Sequence, residues 1–291
     1  CVSLKEYLGP IWEEWSRLGL DKWQRTMARS AKVPCNWKIV LDNFNESYHV
    51  PTVHMAATPD TDRKKISSNL NTYYKETRFD LSDEGHNRMV MRGGYGSGQT
   101  EKDGTIREPL ASSLRAWELD PADFKGNPEA TREALQVAKR KLGPSRGYEH
   151  YANVPDEQLT DAFHYTLFPN FAVSVWADGF HFLRARPHYK DPEQCVFDNW
   201  WYSSPAAIKH REFTMGTQLD EGPDCEVTWI DHASESIGPG IEDDMRVFLT
   251  QQTGFRSRGF KGVYLSEQEK RVRRYHELID DYIEGRKPRR R

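Results

Sequence analysis

Cysteine is scarce in this 291-residue chain: there are four, and they lie far apart in the sequence. Cys1, Cys35, Cys195 and Cys225 form no CxxC or CxH pair, so no thiolate metal site is indicated. A chain of this size does not need a disulfide framework to fold. The cysteines are therefore interpreted as reduced thiols of a cytoplasmic protein.

Long apolar runs and a strong excess of one charge are also lacking. No run approaches the ~20 residues of a membrane-spanning helix. The net charge of −3 argues against nucleic acid as the main partner, because phosphate binding needs a basic surface. The chain begins at Cys1 without an initiator Met or a signal-peptide pattern, so we interpret it as a fragment or a processed piece.

Aromatic residues are well represented, and their pattern predicts a folded core. They form 12% of the chain and include nine Trp, a content that disordered chains lack. Helices are predicted over 4–29, 37–57 with an interruption at Pro51, 127–142, 240–253 and 266–284; strands are predicted over 66–81, 87–92 and within 163–202. Asp178–Gly179 is a hairpin signal, and Ser266 with Glu269 forms a capping box. This order predicts an α+β fold.

Two histidines five residues apart lie in the segment NWKIVLDNFNESYHVPTVH, residues 36–54. On an unbroken helix, five residues correspond to about 500° of rotation, so His49 and His54 would point about 140° apart. Pro51 is predicted to end or kink the helix between them, which would turn the second imidazole toward the first. Two imidazoles and one carboxylate form the facial triad that suits Fe(II) and dioxygen. An isolated HxxxxH spacing, however, is more often two unrelated histidines.

The residues around this pair make the pattern specific. Glu46, Tyr48 and His49 are followed by four residues and His54, and are preceded by Asn-Trp-Lys at 36–38 and Asp-Asn-Phe at 42–44. This pattern resembles the α-subunit signature of the Rieske non-haem iron, aromatic-ring-hydroxylating oxygenases. The stretches 4–9, 257–260 and 265–269 resemble other regions of the same family. The resemblance therefore covers nearly the whole chain.

A later acidic segment is the source of the third ligand that the resemblance implies. Residues 238–254, GPGIEDDMRVFLTQQTG, resemble the family's second motif, an acidic pair that opens a helix. Asp244 lies three residues after Ile241 and four before Phe248, so it is expected to share their inward-facing stripe. Asp244 is therefore favoured over Asp243, which remains the alternative. By itself such a segment is more often a solvated acidic first turn.

The resemblance also implies roles for neighbours of the histidines. Glu46, expected one helical turn before His49, is predicted to hold the free N–H of that imidazole and to bridge it to the Rieske cluster of a neighbouring subunit. Relatives often carry Asp there, and Glu occurs in others, including oxygenases of quaternary ammonium compounds. Asn43 is expected to border the open face of the iron. Tyr48 is either a supporting group or a core residue. The alternatives are a helix salt bridge for Glu46 and a surface amide for Asn43.

The fold that the resemblance implies is the helix-grip, START-like α+β fold, a curved antiparallel sheet wrapped on a long C-terminal helix. Residues 1–291 are expected to form one mononuclear-iron catalytic domain, with 1–30 as a helical lead-in from a Rieske domain and 286–291 as a basic tail. The paired Cys and His motifs of a Rieske cluster are absent, so the 2Fe-2S cluster is expected in the full-length protein and not in this chain. Period-two apolar residues are candidates for a substrate wall, although core is their commoner role: Phe171, Val173, Phe180, Phe182 and Trp200.

The implied activity is that of a terminal oxygenase component, which activates O2 at Fe(II) to hydroxylate or dihydroxylate an aromatic or related organic substrate. Electrons would come from NAD(P)H through a ferredoxin or reductase and the Rieske cluster, in a cytoplasmic homotrimer. One alternative is a monooxygenase or demethylase of a quaternary ammonium or methylated substrate. An alternative of another class is a non-catalytic ligand-binding module with a helix-grip cavity. A hydrolytic zinc enzyme is a third, because two His and a carboxylate also suit zinc.

Overall fold

One eight-stranded sheet organises the part of the chain that the computed structural model describes: residues 2–54, 78–81, 85–92, 99–108, 110–210, 222–238 and 240–287. Its strands are β1 Gln24–Val33, β2 Arg78–Leu81, β3 Asn87–Met91, β4 Ala162–Leu167, β5 Phe171–Val175, β6 Gly179–Pro187, β7 Cys195–Ser203 and β8 Thr228–Ile230. Their order is β2-β3-β4-β5-β6-β7-β1-β8. All neighbours are antiparallel except β1 and β8, which are parallel.

Helices cover both faces of this sheet. They are α1 Leu4–Leu8, α2 Pro10–Trp15, α3 Trp37–Phe44, α4 Val50–Val53, α5 Leu110–Ala116, α6 Ala130–Leu142, α7 Pro205–His210, α8 Ile241–Phe255 and α9 Lys270–Ile283. Short 3-10 turns lie at Leu20–Lys22, Pro121–Phe124, Pro144–Arg146, Glu149–Ala152, Asp156–Leu159 and Glu267–Glu269. The helices predicted over 127–142, 240–253 and 266–284 are confirmed, with boundaries that differ by a few residues.

The two faces of the sheet bury different cores. The front face contributes small and apolar side chains that pack with α3, α8 and α9: Ala31, Ala172, Leu183, Ala185 and Phe197. The back face packs with α1, α5 and α6 through Phe163, Tyr165, Val173 and Val175. Because successive side chains of a strand point to opposite faces, these residues show on which face each remaining residue of the same strands lies.

The C-terminal helix α9 closes the front of the sheet, which gives the α+β helix-grip arrangement that the sequence predicted. Its Tyr275 and Leu278 are fully buried, and the Tyr275 hydroxyl donates to the Pro169 carbonyl at 2.9 Å. The predicted capping box is present, with the Ser266 and Glu269 side chains each bonded to the other's backbone. The Tyr275 contact ties α9 to the turn after β4, and the capping box fixes the turn that leads into α9.

The predicted helix over 4–29 is wrong in its second half. Helices α1 and α2 end by Trp15, and a ten-residue strand, β1, begins at Gln24. Strand β1 pairs with β7 along its whole length, from Gln24 opposite Ser203 to Val33 opposite Cys195. Cross-strand pairing and burial of one face outweigh the local helical preference of this segment. The expected helical lead-in over 1–30 is thus helical in part only, and its far end belongs to the sheet.

Other predictions meet the structure in part. The Asp178–Gly179 signal does mark the turn between β5 and β6, and the Trp176 amide donates to the Gly179 carbonyl at 2.9 Å. The strand predicted over 66–81 is confirmed for Arg78–Leu81, and its earlier residues lie outside the described ranges. Most of the basic tail also lies outside them. In the described part of the chain no helix is long and apolar enough to cross a bilayer.

Candidate metal centre

Three side chains from two separate sequence segments converge at the front of the sheet. One possible ligand atom from each of His49, His54 and Asp244 lies within 4.8 Å of the others. His49 and Asp244 are buried, with 11% and 3% of their side chains exposed, and His54 is exposed by 18%. The structure thus brings together the two histidines and the favoured aspartate of the sequence prediction, from positions about two hundred residues apart.

Helix α8, which carries Asp244, runs antiparallel to α3, the helix that precedes the two histidines. The Asn36 amide, at the start of α3, donates to Gln252 Oε1 near the end of α8 at 2.8 Å. At the other end of α3, Phe44 packs edge-to-face on Phe248, with ring centroids 6.1 Å apart. One helical turn before Phe248, Asp244 faces the segment that follows α3.

The path of the chain between the histidines differs from the prediction. Helix α3 already ends at Phe44, and residues 45–49 form a non-helical connection, so the break precedes Pro51. Pro51 lies in the first turn of the short helix α4, a position that proline tolerates because the amide it lacks has no helical partner there. His49 and His54 are the two caps of α4, and their ring centroids are 5.4 Å apart. The imidazoles at the two ends of α4 therefore lie together, where the sequence predicted a kink at Pro51 between them.

The geometry of the three donors fits a metal ion of the first transition row. His49 Nε2 lies 3.4 Å from Asp244 Oδ1, and His54 Nε2 lies 3.3 Å from the same oxygen. Ligand atoms at right angles on bonds of about 2.1 Å are roughly 3.0 Å apart. These two nitrogen–oxygen distances are therefore close to those that the three residues would need in order to hold such an ion.

Each histidine has a second carboxylate on the far side of its ring. His49 Nδ1 donates to Glu46 Oε1 at 2.5 Å, and the His49 backbone amide donates to Glu46 Oε2 at 3.2 Å. His54 Nδ1 lies 3.6 Å from Asp243 Oδ2. Metal-binding imidazoles usually hold such an acceptor on the nitrogen that does not bind the ion. Both rings therefore present Nε2 to Asp244 in the orientation that a ligand needs.

Charge and burial act against each other at these groups. Burial disfavours the charged imidazole of His49, but Asp244 and Glu46 outweigh it and raise its pKa to about 9. Burial likewise opposes protonation of His54, yet Asp244 raises its pKa overall. For Asp244 burial favours the neutral acid, and the two histidines lower its pKa below the ordinary value. The cluster is thus built to hold positive charge beside Asp244, whether as protons or as a metal cation.

Asp243 and Asp244 are clearly distinguished by their positions. The Asp244 side chain is 3% exposed and points at both histidines, whereas that of Asp243 is 26% exposed and lies 3.1 Å from Arg246. Asn43 Nδ2 donates to Asp244 Oδ1 at 3.0 Å, which holds the carboxylate in place. This gives Asn43, itself buried, a partner that the sequence prediction had not named.

Glu46 and Tyr48 occupy the connection before α4. Glu46 is 8% exposed and is not on a helix shared with His49, yet it reaches that ring as predicted because the connection folds back on itself. Tyr48 is 40% exposed, and its hydroxyl donates to Glu269 Oε1 at 3.2 Å. Tyr48 is therefore not a core residue, and its contact joins the connection to the start of α9.

A buried arginine supports this connection, although the sequence had indicated no role for it. Arg271 of α9 is fully buried, donates to Thr166 Oγ1 at 3.0 Å and to Asn87 Oδ1, and lies near the Asn45 carbonyl. Burial lowers its pKa to about 9, and the charge of Glu46 acts in the opposite direction. An arginine inside an otherwise apolar helical stripe is the only sequence signal that pointed to it.

His164 of β4 fixes the end of α3. Its Nε2 donates to the Phe44 carbonyl at 2.7 Å, so its Nδ1 accepts from the Ser174 hydroxyl at 2.7 Å. Burial lowers the pKa of His164 to about 3, which keeps the ring neutral.

The predicted substrate wall lies on the wrong side of the sheet. The five residues share one face, as their alternation indicated, but it is the back face: Phe171, Val173, Phe180, Phe182 and Trp200. Trp15 of α2 packs on Phe180 there, with ring centroids 5.2 Å apart. Alternation shows which residues share a face but not which helices cover it. Val173 is thus buried in the back core and the other four are partly buried beside it, whereas the front face is the one that borders the centre.

Two surface clefts in the described part of the chain lie along α6, each with a volume of about 510 Å³. One is lined by charged residues that include Arg132 and Arg140, and the other by Trp117 and Leu119 among others. Neither includes a residue of the cluster. The functional chemistry converges at His49, His54 and Asp244, whereas a cleft without convergent chemistry indicates no function by itself.

Comparison with known proteins identifies the family. The profile of the ring hydroxylating alpha subunit (catalytic domain) family matches residues 20–285, so the chain belongs to this family. The comparison with curated proteins gave no match.

Solved structures show the same fold at low sequence identity. A quaternary ammonium Rieske monooxygenase, CntA, in complex with an inhibitor is 12% identical with a TM-score of 0.53, over 97% of this chain and 56% of that one. Naphthalene 1,2-dioxygenase with indole bound is 16% identical with a TM-score of 0.52, over 97% and 60%. The enzyme of that name from Rhodococcus sp., bound to indole, is 14% identical with a TM-score of 0.54, over 99% and 63%. The chain thus spans about three fifths of the length of these proteins.

Proposed function

We propose that this chain is the catalytic domain of an oxygenase in which His49, His54 and Asp244 hold one Fe(II). The observation that carries the proposal is the buried two-histidine, one-carboxylate cluster at the front of a helix-grip sheet. Bound Fe(II) supplies the activation of O2, and an organic substrate is hydroxylated or dihydroxylated. Monooxygenation or demethylation of a methylated substrate uses the same centre.

The residues of the chain orient and confine this chemistry. Glu46 holds the His49 ring and Asp243 faces the His54 ring, so both Nε2 atoms stay directed at the ion. Asn43 keeps Asp244 Oδ1 in position through its amide. Burial of this carboxylate strengthens its attraction for the ion and limits access of water.

Electron supply requires partners outside this chain. We propose a 2Fe-2S Rieske cluster, fed from NAD(P)H through a ferredoxin or reductase, that approaches the Glu46–His49 segment from a neighbouring subunit of a cytoplasmic homotrimer. The segment suits this role because Tyr48 is exposed while Glu46 contacts the His49 ring. The domain expected over 1–291 then acts as the iron-bearing part of a larger assembly.

Metal analysis of anaerobically purified protein tests the iron proposal directly. We expect one Fe(II) per chain after loading and dialysis, and loss of that iron after treatment with a chelator. A ligand-binding module has no reason to retain a metal at these three residues. Stoichiometric zinc that Fe(II) cannot displace would instead favour a hydrolytic zinc enzyme and contradict the proposal.

Glu46→Gln is expected to separate electron delivery from iron binding. The amide keeps the shape of the side chain and can still accept from His49 Nδ1, so iron content should stay near one per chain, with affinity lowered by no more than about tenfold. In the protein that carries the Rieske cluster, oxidation of substrate in a single turnover should slow at least tenfold, because the bridging charge is lost. Glu149→Gln, at a site away from the cluster, is the control. Normal iron together with a normal rate would show that Glu46 is not a bridge.

A further inference from the structure

His181 is a polar side chain on the front face of the sheet that the iron chemistry leaves without a role. It lies in β6, opposite Ser174 on one side and Trp201 on the other. The residue is partly buried, and burial lowers the pKa of its imidazole to about 4, with Asn199 and the charge of Asp244 acting in the opposite direction. The ring is therefore neutral and lies within range of the charge of Asp244.

The hydrogen bonds around His181 determine which ring nitrogen carries the proton. Asn199 Nδ2 donates to the Ile237 carbonyl at 2.8 Å, and because a carbonyl can only accept, the amide orientation is settled. Asn199 Oδ1 then faces His181 Nε2 at 2.5 Å, so Nε2 must donate and Nδ1 must be the acceptor. Within the described part of the chain Nδ1 makes no hydrogen bond, and the residue as a whole is only partly buried.

The ring and its Asn199 anchor are held rigidly. Trp201 packs on His181 with centroids 4.9 Å apart, and Trp176 packs on Trp201 at 5.3 Å. Gly238 follows the Ile237 carbonyl, and a Cβ atom there would lie 2.7 Å from Asn199 Nδ2, which shows how closely the backbone covers the amide. The apolar surroundings are completed by Met27 and Ala162, which are buried with both tryptophans.

We propose that His181 Nδ1 accepts a hydrogen bond from an O–H or N–H group of the substrate. This inference rests on the proposed oxygenase function and names its substrate class: neutral, planar, largely apolar molecules that carry one hydrogen-bond donor, such as phenols or arylamines. The two tryptophans and Met27 supply the apolar surface of the site, and the neutral imidazole supplies its hydrogen-bond acceptor.

The same arrangement disfavours two other substrate classes. A quaternary ammonium nitrogen has no N–H to offer Nδ1. A carboxylate would face the lone pair of Nδ1 and the negative charge of Asp244, and would find no positive partner at His181 because that ring is neutral. Donor recognition by a rigid buried acceptor discriminates strongly, since an analogue without the donor leaves that acceptor unpaired.

A matched ligand series tests this directly, with tryptophan fluorescence as the readout of binding. The probes are 2-naphthol, 2-methoxynaphthalene and naphthalene, titrated into the 291-residue chain both metal-free and loaded anaerobically with Fe(II). In the wild type, 2-naphthol should bind about tenfold more tightly than 2-methoxynaphthalene. This ratio of affinities corresponds to the free energy of one hydrogen bond to a buried acceptor. His181→Phe keeps a flat ring against Trp201 and should reduce this ratio to about one, while naphthalene binding stays unchanged. His181→Asn, whose Oδ1 can replace Nδ1, should restore part of the preference.

The outcomes are distinguishable from failure of the iron proposal. A 2-naphthol preference that persists in a folded His181→Phe protein, or a wild type that prefers 2-methoxynaphthalene, would overturn the role of His181. Iron content measured in the same samples should be equal in the wild type and in His181→Phe. A wild type that binds no iron would contradict the oxygenase proposal. The titrations of metal-free protein would still decide whether His181 accepts the hydrogen bond of the ligand.

Discussion

Replacing His49 or His54 by alanine is expected to reduce bound iron from one per chain to near zero. Each imidazole is one of three donors that converge within 4.8 Å, and two donors alone do not define a face of the ion. Loss of a supporting residue behind a ligand typically costs 10–100-fold in affinity, and loss of the ligand itself should cost more. The measurement is iron by elemental analysis after anaerobic loading and extended dialysis.

His188→Ala is the matched control, because this histidine is exposed. Its Nδ1 accepts hydrogen bonds from nearby backbone amides, and the Asp191 amide donates to it at 3.0 Å. Circular dichroism and thermal unfolding should show that each variant is folded, and His49→Gln and His54→Gln provide larger side chains if alanine destabilises the site. Full retention of iron by both histidine variants would remove these residues from the centre.

Asp244→Ala is expected to release iron, whereas Asp243→Ala should keep most of it. Asp244 supplies the oxygen that faces both histidines and is held by Asn43, so its removal leaves the three groups around it without their acceptor. Asp243 lies 3.6 Å from His54 Nδ1, on the side of the ring away from Asp244, so its loss should weaken iron binding by about tenfold at most. Iron titration of both variants under identical anaerobic conditions measures the difference.

The matched asparagine variants separate charge from volume in this comparison. Asp244→Asn keeps the shape and can still place an oxygen toward the histidines, but it loses the negative charge that a cation needs, so it should also bind iron poorly. Asp243→Asn should behave like the wild type. An opposite ranking of the two positions would make Asp243 the ligand and would leave the histidine assignment standing.

Side-chain contacts could be predicted from the sequence where the interacting residues are close together in the chain. Glu46 and His49 are three residues apart, and the short connection before α4 brings them into contact even though no common helix joins them. Asp244 shares an inward stripe with Ile241 and Phe248 because helix periodicity depends only on spacing, and the three are buried together. The same holds for the capping box at the start of the C-terminal segment.

Elements that depend on distant pairing could not be predicted in the same way. Strand β1 is stabilised by its pairing with β7. No local pattern of residues 24–33 indicates this partner, which lies more than 160 residues away in the sequence. The break at residues 45–49, rather than at Pro51, depends on the buried Arg271 and His164, which satisfy the carbonyl groups exposed where α3 ends. Both supports come from elements far along the chain.

The sequence by itself thus determined the α+β class, the two histidines and the acidic pair 243–244 that supplies the third converging side chain. The resemblance of the two motifs to the oxygenase family, together with short-range spacing, was sufficient for these. Only the tertiary structure decided which face of the sheet borders the centre. Alternation placed Phe171, Phe180 and Trp200 on one face correctly, but which helices cover a face is a property of long-range packing. For that reason the side chains on the front face are His181, Asn199 and Trp201, on the strand positions that alternate with those predicted.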